Sequence, residues 1–268
     1  MATTDGIAFF SVATPDGASM CWSLAASVTV GAIGVTTTLF AARMGAPRAI
    51  WVAVGYFSIM EGLQAAGYFV ADACGSPANR LIIALSYLHI VFQPFVINAF
   101  AMQLVPAPVS RRVRVIVYCL CTVSAMFMLA QVYPFEWAGT CRIGQVFCGR
   151  ELCLRSGEWH IAWDIPYNGL ARPFDDAIGA NWGFPTYVLT VLVLPFLYGS
   201  WRFALFHLLA GPVLANFLTS NVNESPAIWC LFSIGIILIA MFPILLRQLQ
   251  VEHWILWPKS WRADLAPR

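Results

Sequence analysis

Seven long apolar stretches follow one another along the chain, at Met20–Ala42, Ala49–Ala71, Leu81–Val105, Val113–Tyr133, Phe184–Gly199, Phe203–Ser220 and Ala227–Leu246. A helix rising about 1.5 Å per residue needs about 20 apolar residues to cross a hydrocarbon core about 30 Å thick, so each stretch reads as a membrane span. The fifth and sixth are the shortest. Breakers fall where loops are then required, at Gly45-Ala46-Pro47, Gly75-Ser76-Pro77, Pro106-Ala107-Pro108, Gly199-Ser200 and 221–226. The pattern predicts an all-α integral membrane protein, a seven-transmembrane-helix bundle over residues 20–246 with a long connection at 134–183. Residues 1–19 are then an external tail, or Met20 is the true start, and 247–268 form an interfacial tail carrying His253, Trp254, Trp257, Lys259 and Trp261.

Charge orients the bundle. Arg43, Arg48, Arg111, Arg112, Arg114, Arg202, Arg247, Lys259 and Arg262 fall on one side of every span, which predicts a cytoplasmic C-terminus and an external N-terminus in the cell membrane. Composition agrees: 60% of the 268 residues are hydrophobic and 10% charged, against about 25% charged in a soluble domain. The net charge of +2 contains no basic run to hold a nucleic acid, so the lipid bilayer is the expected partner. The single lysine, Lys259, lies outside every span, which excludes a retinal Schiff base. Neither a glycine-rich phosphate loop nor a nucleophile elbow is present.

On this topology Cys74, Cys141, Cys148 and Cys153 lie in external loops, where an oxidising exterior permits disulfides joining the long connection to itself and to the loop after the second span. Four cysteines allow three pairings. A zinc knot is the rival, although the tight pair two residues apart is missing. Cys119 and Cys121, inside the fourth span, read as small buried apolar groups.

Ionisable groups inside a span cost about 2.5–3.5 kcal/mol on insertion scales, so the few present mark candidate chemistry. Glu61 and His89 both lie roughly 12–15 Å below the outer surface at about 1.5 Å per residue. Gln64 shares a helix face with Glu61, and Gln93 with His89, while Asn98 lies deeper. Together they predict a polar stripe between the second and third spans. Above it, residues 158–168 contain His160 and Asp164 at a helical spacing of four beside Trp159 and Trp163, which predicts a helical lid at the interface. His207 reads as an interface anchor near the cytoplasmic end of the sixth span, and Asn216 faces the outer half. Asn223-Glu224-Ser225 has the form of a glycosylation acceptor.

Three roles would use this set. His89 and His160 are metal ligands for zinc or iron, with Glu61 as ligand or general acid/base, Asp164 orienting His160, and Gln64, Gln93 and Asn98 contacting a small apolar or lipid-derived substrate. Alternatively the stripe recognises or conducts a solute or a proton, as in a transporter. In a structural subunit the same groups would only cross-link helices.

Met20-Cys21-Trp22-Ser23, then a glycine-rich apolar helix, then Glu61-Gly62-Leu63-Gln64, resembles a family of uncharacterised bacterial multi-pass membrane proteins. Its members open with Met-Cys-Phe/Trp-Ser and carry Glu or Gln in the second span. The likeness covers the first third of the chain, with a looser similarity at His89–Asn98 and Ala227–Ser233. The nineteen residues before the motif depart from the family's pattern. The resemblance implies a membrane location and no particular chemistry.

Overall fold

The computed structural model describes residues 22–105 and 108–251; Cys21, the first segment and the tail beyond 251, with His253, Trp254, Trp257, Lys259, Trp261 and Arg262, lie outside the described residues. Helix α1 (Leu24–Arg43) starts at Ser23, whose hydroxyl accepts from the Ala26 N–H, and ends before Gly45 at φ +73°, a left-handed conformation that suits glycine. Helix α2 (Arg48–Tyr68) follows Pro47, and α3 (Pro77–Ala101) and α4 (Arg111–Gln131) are capped by Ser76 and Ser110. These four coincide with the first four expected spans.

The second half departs from expectation. Among the described residues, five helices are long and apolar enough to cross a membrane, or six if one bent pair is a single span. The fifth expected span shortens to α6 (Pro185–Leu197), because Pro185 opens the helix and the Gly199 turn, at φ +105°, ends it. Helix α7 (Trp201–Leu218) is the fifth long one. The seventh expected span divides into α8 (Ser225–Met241) and α9 (Pro243–Leu249), bent by 107°. Pro243 lacks the N–H that would continue the ladder and forces Phe242 into an extended conformation, φ −110° and ψ 103°. Arg202 then ties the end of α9 to α7 by donating to the carbonyls of Gln248 and Gln250.

The long connection is not a helical lid. It contains the antiparallel hairpin β1 (Cys153–Ser156) and β2 (Ile161–Asp164), with Cys153 opposite Asp164 and Ser156 opposite Ile161, so the fold is mostly helical with a small sheet rather than all-α. Helical periodicity in 158–165 loses to cross-strand pairing, since Ile161 and Trp163 suit a strand and residues 153–156 supply the partner. One short helix, α5 (Arg172–Ile178), follows. The disulfides join Cys74 to Cys153 and Cys141 to Cys148, selecting one of the three pairings.

This cap is bonded directly to the helix ends. Asn79 at the start of α3 donates to the carbonyls of Val70 and Leu154 and accepts from the Leu154 N–H, which uses all of its amide capacity but one lone pair. Asn168 donates to the carbonyls of Ala130 and Tyr133 at the end of α4.

Candidate functional site

The buried polar groups form a seam between α2 and α8, with α1 alongside. Glu61 is fully buried; its Oε1 accepts from the Ser233 hydroxyl at 2.8 Å, Ser27 of α1 lies beside it, and its Oε2 has no partner. Gly31 of α1 packs against this residue, where a Cβ would be in ordinary contact, 3.4 Å from that of Glu61. One turn along α2, Gln64 donates to the carbonyl of Ala227 at 3.2 Å and leaves Oε1 without a partner. Another turn on, the Tyr68 hydroxyl donates to the carbonyl of Trp22 at 3.2 Å and lies 3.4 Å from His160 Nδ1.

His160 precedes β2 and is fully buried, with its ring near Trp22 and Tyr68. Its Nδ1 accepts from the Ile161 N–H at 2.7 Å, so the proton of the neutral ring is on Nε2, which has no partner. Burial pushes the imidazole from 6.5 down to about 3. The unfolded chain therefore binds a proton that the folded chain excludes between those values. The stabilisation is complete above pH 6.5 and is lost as the pH falls toward 3, with a slope of up to about 1.4 kcal/mol per pH unit. Thermal unfolding in detergent is expected to show a smaller loss of Tm between pH 7 and pH 4.5 for His160→Asn, which keeps an acceptor for Ile161, than for the unmodified chain. Equal losses in the two proteins would contradict this burial.

The third helix carries a separate set. His89 stacks on Tyr56 at 3.8 Å between ring centroids, and the Tyr56 hydroxyl donates to the His89 carbonyl at 2.5 Å. Tyr56 and Glu61 are five residues apart and thus about 140° apart around α2, so the face toward His89 is not the face of Glu61. The expected stripe between the second and third spans is in this way divided between two interfaces. Gln93 accepts from the hydroxyl of Tyr187 on α6. Asn98 donates to the carbonyls of Pro94 and Thr190 and accepts from Tyr198, which occupies it in helix packing.

Asp164 does not orient His160: it accepts from Arg155 at 2.7 Å and from Asn223 at 2.8 Å. The same Asn223 amide also donates to the Cys148 carbonyl, so the glycosylation motif has its acceptor nitrogen in use. Glu61, His89, His160 and Asp164 are thus in four different environments. No group of three or more metal-ligating side chains occurs among the described residues. His207 is buried within α7 rather than at an interface, accepting from the Trp229 indole N–H at 2.8 Å and stacking on Phe232. Cys121 is buried as expected, whereas Cys119 is exposed.

A feature that no sequence motif announced lies between α6 and α7. Each contains a π segment, Leu189–Val193 and Leu209–Val213, a rare distortion that occurs frequently at functional sites. Where the two helices diverge there is a cleft of about 690 Å³, walled by Leu192, Leu208, Phe217 and Trp229, with Asn181 and Asn216 at its rim. Gly211, in the second π segment, admits the indole of Trp229, since a Cβ there would lie 2.3 Å from its Nε1. Phe184 and Trp229, 6.1 Å apart, separate the cleft from a smaller space lined by Gln93, Tyr187 and Cys230. The outer position of Asn216 was the sequence signal nearest to it.

Fold and site together define a mostly helical protein with helices able to cross a membrane and a disulfide-joined hairpin at one end. The chain belongs to the family of unknown function DUF5765, whose family model matches residues 25–250. No curated protein and no solved structure matches it.

Proposed function

We propose that this chain is a multi-pass protein of the cell membrane that binds a small, largely apolar molecule in the cleft between α6, α7 and α8. The observation that carries the reading is the cleft itself. Its volume of about 690 Å³ is within the roughly 300–1,000 Å³ of small-molecule sites, and apolar walls with a few amides at the rim are the usual chemistry of such sites. Seven crossings, with α6 as a short one, put Arg43, Arg48, Arg111, Arg112, Arg114, Arg202 and Arg247 on one side and the disulfides on the other. The metal-dependent enzyme reading gathers Glu61, His89 and His160 at one place, whereas these residues lie in separate environments; binding in the cleft needs no such convergence.

The test is photolabelling of the full chain in mild detergent with a diazirine-bearing fatty alcohol. Label is expected on peptides containing Leu192, Asn216 and Trp229. It is expected to fall about tenfold in Val213→Trp, which fills the cleft and removes about 1.4 kcal/mol or more of binding. An even distribution of label over the exposed faces of α1 and α4, unchanged by that substitution, would show that the cleft holds only bulk lipid or detergent.

A further inference from the structure

The pair Glu61 and Gln64 presents a different problem, independent of the cleft. Glu61 Oε2 and Gln64 Oε1 are acceptors on fully buried side chains, one turn apart on one face of α2, and neither has a donor. An unpartnered buried acceptor is destabilising. Of the donors that face them, the Ser233 hydroxyl goes to Glu61 Oε1, the Ser27 hydroxyl of α1 also approaches the Glu61 carboxyl, and the Gln64 amide goes to the Ala227 carbonyl, which leaves none for Gln64 Oε1. A proton on Oε2 would convert one of these acceptors into a donor on the same helix face as the other.

We propose that Glu61 and Gln64 form a proton-exchange site, reached from the hairpin end of the bundle through Tyr68 and His160. Tyr68 is one turn beyond Gln64 on α2, and its hydroxyl lies 3.4 Å from His160 Nδ1. The unpartnered Nε2–H of His160 is the next group in the cap. The exchanged species is one proton, leaving the carboxyl oxygen of Glu61 as its charge returns. The titratable groups facing the seam are Tyr68 on α2, Cys230 on α8, and His160 and Glu224 in the cap. From α1, Ser27 and Gly31 approach Glu61, and neither is charged.

Infrared difference spectroscopy on the full chain in lipid vesicles, native minus Glu61→Gln, tests this. A protonated-carboxyl C=O band that shifts on transfer to D2O is expected, and its exchange is expected to slow about tenfold in Tyr68→Phe, which corresponds to about 1.4 kcal/mol on the barrier. Unchanged thermal unfolding of both variants serves as the control for folding. Absence of the band would overturn the proton site. A band whose exchange rate is the same in Tyr68→Phe would overturn the route. Loss of the band on adding sodium chloride would replace the proton with a sodium ion at the same oxygens. None of these outcomes depends on the cleft.

Discussion

Replacing Glu224 with alanine is expected to destabilise the cap more than any other single substitution, by about 3–5 kcal/mol, because several charge-assisted hydrogen bonds are lost together. Its fully buried carboxylate accepts from three successive backbone N–H groups: Oε1 from Glu158 at 2.8 Å, and Oε2 from Trp159 at 2.8 Å and His160 at 3.0 Å. The alanine variant leaves the buried His160 N–H without an acceptor and opens the half-buried Glu158 and Trp159 N–H groups to competition from water. Glu224→Gln retains one accepting oxygen and turns an NH2 toward the others, so an intermediate loss is expected. Gly157→Ala approaches the same site from the hairpin turn, since its Cβ would fall 2.3 Å from both the Glu224 Cδ and the His160 carbonyl oxygen. Thermal unfolding in mild detergent should order the proteins as native, Glu224→Gln, Glu224→Ala. A Glu224→Ala variant with native Tm would show that the three N–H groups find other partners.

The second large effect is expected on removing the Cys74–Cys153 disulfide. It closes a separation of 79 residues, for which chain entropy gives about 4.5 kcal/mol at 25 °C. That figure is a ceiling, because helices held in a membrane already restrict the loop ends in the unfolded state. The Cys141–Cys148 bridge closes a separation of only seven, and the same relation gives roughly half as much. Paired Cys→Ser substitutions compared in thermal unfolding should therefore differ in that order, and reductant should lower the native Tm toward that of the Cys74/Cys153 variant. The reverse order would mean that strain or local packing outweighs loop closure. Cys153 begins β1, so its loss is also expected to loosen the hairpin that carries His160.

Much of the outline was legible. The first four apolar stretches, with breakers between them, announced α1 to α4. The four loop cysteines were recognisable as disulfide formers, although their pairing was not. The candidate residues were individually sound as buried polar groups: Glu61, Gln64, His89, Gln93, Asn98 and His160 are all buried. What failed was their grouping. Equal depth on adjacent helices suggested that Glu61 and His89 meet, but the rotation of α2 about its own axis turns Tyr56 to His89 and Glu61 to Ser233. Apolar stretches carry little information about that rotation, since nearly every face of such a helix is hydrophobic. Glu224 was passed over as part of a turn because its partners lie 64–66 residues away in sequence.

The amino-acid sequence by itself determined the quantities that add up locally: apolar length, breaker positions and the presence of bondable cysteines. These depend on a residue and its near neighbours, so they survive without knowledge of the fold. Tertiary structure decided which faces meet, that Ile161–Asp164 pairs with Cys153–Ser156 as strands instead of continuing a helical pattern, and that a cleft lies beside Trp229 between helices with π segments. Each of those outcomes follows from competition between local preference and distant partners. Packing prevails where the local preference is weak, as along a helix that is apolar on all sides, and where a backbone segment is offered a long-range carboxylate for its N–H groups.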